Sequence, residues 1–308
     1  MGQSRLLAKR VLWAQSASQR KGCAQPHRPE TAMCLLLFAY RCHREYPLLL
    51  IANRDEFYTR PTAPAAPWKE SGLVAGRDLQ AGGTWVGMLR GRVAAVTNIR
   101  EPGTAEPDQA LTRGEIPLDF LTGNSSPEQF AENLQGPRYR GFNALLFDLS
   151  ASQPLACAGN RHAPFLFTPG IHGISNGAPD APWPKVEKGK ARLECIVQSI
   201  KGPLSEENFV KPALEALQDR QRAADTELPH TGIGLPLERA LSPIFVQIDS
   251  RKDFMPVNVA TSDTEGGYGT RASTIIAINR NGFSHFWEQT FERGKLQGPL
   301  RHFSLPSL

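Results

Sequence analysis

The chain is short of the residue patterns that hold metals and disulfide frameworks. Its five cysteines, Cys23, Cys34, Cys42, Cys157 and Cys195, form no CxxC pair, no CxxCH and no zinc-finger spacing. Its seven histidines include no HExxH and no HxH, so no metal site is expected. An odd, scattered set of thiols fits a reducing compartment better than a disulfide scaffold. No apolar run approaches the ~20 residues that cross a bilayer, which excludes a helical membrane span. No GxGxxG follows a strand and no GxxxxGK[ST] occurs; the glycines of 76–87 have the spacing of turns and hairpins rather than of a phosphate cradle.

One sign of charge is also missing, but only locally. The first 32 residues hold six basic side chains (Arg5, Lys9, Arg10, Arg20, Lys21, Arg28) against Glu30 alone. With 35 basic and 30 acidic residues in all, the remainder carries 29 of each and is neutral. The basic pI therefore belongs to the head, and a nucleic-acid surface on the body is excluded. The head has the composition of an organellar transit peptide; it also fits a propeptide, or sequence upstream of a true start at Met33. The last reading is preferred. It divides the chain into a basic extension, 1–32, outside the fold, and one domain, 33–308, expected in the cytoplasm, or in an organelle if the head is a transit peptide.

What is present is a core's worth of apolar residues, 40% of the chain, arranged mostly at strand period. Residues 34–41 and 47–54 are apolar on both faces, so each is a strand covered on both sides, and the polar link 42–46 makes them a hairpin. Residues 83–89 and 92–98 form a second hairpin around Arg90-Gly91. Strands are expected at 141–149, 154–159, 171–176, 244–248, 271–279 and 283–290, the last two joined at Asn281-Gly282. After Pro184 the period becomes helical, with Leu193, Ile196, Val197 and Ile200 on one face and Val210, Ala213, Leu214 and Leu217 on another. Pro212 is placed in a first turn. Hairpin-linked strands with helices grouped between them imply an α/β, four-layer αββα sandwich of two mainly antiparallel sheets.

The first hairpin carries the chemistry. A turn centred near Arg44 makes paired positions sum to about 88, which sets Cys34 opposite Arg54 with Asp55 beside it. A thiol facing a guanidinium beside a carboxylate is a way to lower a thiol pKa and make a nucleophile. In that reading Arg54 and Asp55 pair, and Asp55 lies near solvent at the strand end. The competing reading makes Cys34 a small core residue and Arg54-Asp55 a surface ion pair. Trp85 and Trp287 are read as core, and Glu56 as a hairpin-end partner of Arg60.

Met33-Cys34, followed by Ala52-Asn53-Arg54-Asp55-Glu56-Phe57, closely resembles the NRDE family, the homologues of transport and Golgi organisation protein 2. So do Gly82-Gly83-Thr84-Trp85-Val86-Gly87, Ala95-Val96-Thr97-Asn98, Gly141-Phe142-Asn143, Gly159-Asn160-Arg161, Gly173-Ile174-Ser175-Asn176 and residues 268–274 (YGTRAST). The set runs in family order from Met33 to the C-terminus, and residues 1–32 have no counterpart in it. The resemblance implies a distant relation to the N-terminal-nucleophile (Ntn) hydrolases, whose nucleophile is residue one after processing. Its α-amine, of reference pKa ~7.7–8.0, is then the general base. By that resemblance Cys34 is the nucleophile, Arg54 favours the thiolate, Asp55 holds the amine, and Asn176 or Asn98 supplies the oxyanion hole. Arg271 binds a substrate carboxylate or supports the nucleophile, and Asn143 joins the substrate-binding set.

Two functions follow from the resemblance. One is an Ntn-type cysteine hydrolase of an amide or thioester, working without a cofactor. The other is a non-enzymatic binding protein on the same fold, for haem trafficking or for an acyl lipid such as acyl-CoA. His43 is the nearest haem-ligand candidate and fits a turn residue as well. The expected partner is a small acyl compound or haem, and no metal is expected.

Overall fold

The computed structural model describes residues 33–105, 107–249 and 266–306. The basic extension 1–32 lies outside the described residues. Two strands open the fold, β1 (Met33–Tyr40) and β2 (Leu48–Phe57), and β3 (Thr62–Pro67), β4 (Val74–Asp78), β5 (Val86–Leu89) and β6 (Arg92–Asn98) follow. Helices α1 (Glu115–Thr122) and α2 (Pro127–Asn133) lead to β7 (Phe142–Asp148), β8 (Leu155–Gly159), β9 (Phe165–Leu166) and β10 (Gly170–Ile174). The second half holds α3 (Pro184–Ser199), a π-helical turn Glu206–Val210, α4 (Lys211–Leu217), α5 (Leu235–Ala240) and β11 (Gln247–Ile248). It ends with β12 (Tyr268–Ile278), β13 (Phe283–Glu292) and β14 (Lys295–Pro306).

Two seven-stranded sheets result. The first has the order β10-β1-β2-β12-β13-β14 with β11 beside β12, and the second runs β3-β4-β5-β6-β7-β8-β9. Their pairings are antiparallel throughout. Leu36, Phe38, Leu50, Ile276 and Phe286 of the first sheet meet Val74, Val93, Leu145 and Phe147 of the second in the central core. Leu35, Leu37, Leu49 and Ile51 face the other way, under Val186, Leu193, Ile196 and Val197 of α3 and Ala213 and Leu217 of α4. Ala94, Leu146 and Ala156 cover the outside of the second sheet against Ile116, Phe120 and Leu121 of α1 and Ala131 of α2. The layers are therefore αββα. That is why β1 and β2 are apolar on both faces, since each lies between the central core and a helix layer.

Local chemistry sets the joints. Cys34 pairs with Arg54, as the turn position required, because the link 42–46 is short and polar. Arg90 and Gly91 have φ 48° and 77°, the two left-handed residues of a turn whose twist matches its strands. Pro212 sits in the first turn of α4, where its missing N–H costs nothing. Gly189 lets α3 lie close on β1, since a Cβ there would come within 2.5 Å of Leu37 Cδ1.

Some elements differ from the sequence reading. The strand expected at 244–248 shrinks to Gln247–Ile248. The Phe245 N–H donates to the Asp219 carbonyl and the Val246 N–H to Thr270 Oγ1, so neither joins the ladder. Strands β3, β4, β9 and β14 and helices α1, α2 and α5 were not foreseen. β14 is exposed along most of its length and so shows no alternation, and the helices are too short to display a periodic face. Among the described residues no helix is long and apolar enough to cross a membrane.

Candidate functional site

The sheets part at one end around a cavity of about 960 Å³. Cys34, Arg54, Asp55, Asn98 and Arg271 line it, together with Glu56, Arg60, Asp78 and Glu288. Cys34 opens β1 on the inner face, 7% exposed.

The guanidinium opposite the thiol is held by carboxylates other than the one expected. Arg54 Nη2 lies 3.3 Å from Glu56 Oε2 and 3.4 Å from Asp78 Oδ2. Arg60 Nε completes the cluster at 2.7 Å from Asp78 and 3.6 Å from Glu56. The alternation of β2 explains this: Arg54 and Glu56 point to one face, and Asp55 to the other. Asp55 accepts from Thr270 Oγ1 at 2.7 Å through Oδ1, while Oδ2 is buried with no hydrogen-bond partner among the described residues. At 1% exposure Asp55 is an interior residue, not one near solvent.

Burial dominates the electrostatics. It pushes the Cys34 thiol up to about 12; the Arg54 charge and a hydrogen bond from the Asp55 backbone oppose it, and the Asp55 and Glu56 charges reinforce it. The lowered thiol expected from an adjacent arginine is therefore not found in this chain, where the residue 34 nitrogen is an amide. Burial raises Asp55 to about 6 against the pull of Lys185, the Thr270 hydroxyl and Arg54. It lowers Lys185 to about 8 against the Asp55 charge. Glu288, on β13, is raised by burial to about 7 although the Ala65 N–H and the Arg301 and Arg54 charges favour its ionised form.

Arg271 turns its guanidinium to the end of β2, Nη1 donating to the carbonyls of Phe57, Tyr58 and Arg60 at 2.9–3.3 Å. Asn176 does not line the cavity. It lies behind the wall, its Nδ2 donating to the Asn98 carbonyl at 2.9 Å, while Ser175 Oγ donates to the Cys34 carbonyl at 3.2 Å. These two residues join the start of β1 to the end of β6, and so tie the two sheets together at the site. Asn143 is also not a lining residue; its amide donates to the Gly177 carbonyl at 2.8 Å and its oxygen meets His162 Nε2 at 3.0 Å.

His43 lies in the β1–β2 turn, its Nδ1 accepting the Glu45 N–H. The six strand steps from Cys34 to Tyr40, at ~3.3 Å each, already separate that turn from Cys34 by roughly 20 Å. No histidine among the described residues lines the cavity. Among the described residues no group of three or more His, Cys, Asp or Glu is placed to hold a metal ion. Trp85 and Trp287 are buried, Trp85 also reaching the cavity wall.

Sequence reasoning missed Lys185, Asp78 and Glu288. A signal existed for Lys185: a cation directly after Pro184 stands in the first turn of a helix, where the dipole disfavours it. Asp78 and Glu288 arrive from β4 and β13 and carry no local mark.

The family model described as Transport and Golgi organisation 2 matches residues 33–293. The chain is 34% identical over 274 residues to the Transport and Golgi organization 2 homolog of Mus musculus, covering 84% of this chain and 93% of that protein. Identity to the Homo sapiens homolog is 31% with the same coverage. For the Drosophila melanogaster Transport and Golgi organization protein 2 it is 28% over 284 residues, covering 84% of this chain and 92% of that protein. A match from Met33 past the end of β13 takes in Cys34, the Arg54 cluster and all of the cavity wall except the part that β14 supplies, and the chain belongs to the Transport and Golgi organisation 2 family.

Proposed function

We propose that the protein is an Ntn-type cysteine hydrolase of a carboxylic amide or thioester, with Cys34 as nucleophile once its nitrogen is a free amine. The observation that carries this is the position of Cys34: first inner-facing residue of β1, on the wall of a cavity of ligand size, across from a fixed guanidinium. A thiol raised to about 12 is inert at neutral pH, so the reaction needs a base at the sulfur. The α-amine takes the Sγ proton, and the thiolate attacks the acyl carbon to give a tetrahedral adduct. The adduct collapses to an acyl-thioester as the amine's proton passes to the leaving group. Water, deprotonated by the same amine, then hydrolyses the thioester and returns the thiol. Arg54 favours the thiolate. Asn98, which lines the cavity and whose carbonyl Asn176 braces, is the one of the two candidates able to act as the oxyanion donor, and Arg271 fixes the end of β2 at the cavity wall.

The same raised thiol favours a second reading, a carrier that holds an acyl compound in the cavity and uses no nucleophile. Haem as cargo has less support, since no histidine among the described residues lines the cavity.

The test compares the full chain, folded and then cut between residues 33 and 34, with the same chain uncut. Iodoacetamide should alkylate Cys34 at least tenfold faster after the cut. A panel of acyl thioesters and anilides should turn over only in the cut protein, and Cys34→Ala should abolish turnover. Equal alkylation rates before and after the cut would sink the hydrolase. Acyl binding that survives Cys34→Ala, without turnover in the cut parent, would leave the carrier.

A further inference from the structure

The strand β10 is followed by a loop that closes back on it. Asp180 returns to Gly173, its N–H donating to the Gly173 carbonyl at 2.8 Å and its Oδ1 accepting the Gly173 N–H at 2.8 Å. Asp180 Oδ2 meets His172 Nδ1 at 2.7 Å, and His172 Nε2 lies 2.9 Å from the Thr168 carbonyl oxygen. Phe38 and Phe167 pack on the imidazole, with ring centroids 5.4 and 4.8 Å away, and fix its plane. Asp180 makes these contacts at φ 56°, a left-handed conformation that Asp and Asn tolerate better than other side chains.

Between its two ends the loop carries the residues that brace the site. Ser175 Oγ donates to the Cys34 carbonyl, Asn176 Nδ2 donates to the Asn98 carbonyl, and the Asn176 carbonyl accepts the Arg100 N–H at 2.7 Å. Movement of the loop therefore moves the backbone at Cys34 and at Asn98. What holds the loop depends on a proton. Both ring nitrogens of His172 face oxygens that only accept, one a carboxylate and one a carbonyl. The imidazolium donates to both. The neutral ring donates to one and turns a lone pair on the other.

We infer that His172 and Asp180 are positioning residues of the Cys34 site: as a charged pair they latch the 174–180 loop, and loss of the His172 proton loosens the bracing of Cys34 and Asn98. Only the consequence for catalysis rests on the hydrolase reading; the latch is a property of the uncut chain. Burial works against the imidazolium, but the Asp180 and Thr168 hydrogen bonds and the Asp180 charge outweigh it and raise His172 above 6.5. The latch is therefore complete below 6.5 and is lost as pH rises through the raised midpoint. Lys190 of α3 lies 3.7 Å from Asp180 Oδ1 and is itself held by Glu187 at 2.9 Å. The Cys157 thiol of β8, which feels the Asp180 charge, is kept protonated by burial. Cys42 lies beside Gly170 at the start of β10, and His162 is separated from His172 by Phe165 and Phe167. For the hydrolase the latch sets an upper pH limit, opposite in sense to the amine, which is a base only once it has lost its proton.

The test reads the site in the full, uncut chain. Cys34-Leu35 is the one Cys-Leu step in the sequence, so cysteine labelled with ¹³C at its carbonyl and leucine labelled with ¹⁵N give a single correlation that reports the Cys34 carbonyl. That signal should titrate with the His172 midpoint, which is read from ring-labelled histidine and assigned by its loss in His172→Gln. The Asp180 amide should lose protection from hydrogen exchange over the same pH range. Asp180→Asn keeps the loop's backbone bonds and removes the charge. It should lower the His172 midpoint by about one pH unit or more and carry the Cys34 titration down with it. In His172→Gln the Cys34 component at that midpoint should vanish. A Cys34 carbonyl that does not follow His172 in the parent chain would overturn the latch, and that measurement needs no variant to fold. An unmoved His172 midpoint in Asp180→Asn would overturn it too. Turnover by the cut chain is read separately, and its fall at high pH should follow His172. No turnover with both titrations intact removes the hydrolase and keeps the latch, while turnover beside a Cys34 carbonyl that ignores His172 removes the latch alone.

Discussion

Residues 48–52 of β2 and residues 53–56 that continue it are buried to nearly the same degree, the first group at 0% exposure and the second at 0–8%. Both run beside β1 and β12 in the middle of the first sheet. Yet the first group is Leu-Leu-Leu-Ile-Ala and the second is Asn-Arg-Asp-Glu. Burial cannot tell them apart; bonding can. The apolar half fills the central core on one face and the helix layer on the other. The polar half divides again. Asn53 is fully used, its Nδ2 donating to the Leu217 and Ile244 carbonyls at 2.8 and 2.9 Å and its Oδ1 accepting from Ser273 Oγ at 2.6 Å. Arg54 and Glu56 share a cluster with Arg60 and Asp78. Asp55 keeps one oxygen without a hydrogen-bond partner among the described residues.

The largest effect should come from the apolar half. Ile51→Ala removes a side chain enclosed by α3, α4 and β12 and should cost ~2–5 kcal/mol in urea unfolding. A loss under ~1 kcal/mol would mean that the helix layer collapses onto the gap and that the two halves do not differ in the way described.

Asn53→Ala should come next. It leaves two carbonyls and a hydroxyl without their partner and should cost ~1–3 kcal/mol, with the cavity residues unmoved. Thiol alkylation at Cys34 should be unchanged, since Asn53 bonds Leu217, Ile244 and Ser273 and none of these lines the cavity.

The smallest effect at neutral pH should belong to Asp55→Asn, and its signature is pH. Burial raises the Asp55 carboxyl from 3.8 to about 6, so between these values the folded chain binds the proton more tightly than the unfolded chain. Stability of the parent should therefore fall as pH rises from about 4 to about 6 and level off above. Asp55→Asn should lack that portion of the slope in melts taken across the range. An identical slope in parent and variant would show that Asp55 titrates normally and that the polar half contains no strained charge.

The order of β1 and β2, their pairing at Cys34 and Arg54, and the two other tight hairpins were legible because each rests on neighbours in the chain: a short polar link, a left-handed turn pair, an apolar run. The layer architecture followed from the same runs, since a strand apolar on both faces needs cover on both. β14 and the short helices α1 and α2 were not legible, as an exposed edge and a two-turn helix leave little periodicity.

The site divides along the same line. That Cys34 faces Arg54 is a statement about register, and the amino-acid sequence alone determined it. That Asp78 joins Glu56 in holding Arg54, and that Asp55 is enclosed, depended on residues from β4 and β12 arriving from 24 and 215 positions away. So did the rise of the thiol to about 12, because desolvation is a property of everything that surrounds a group, and only the folded chain sets it.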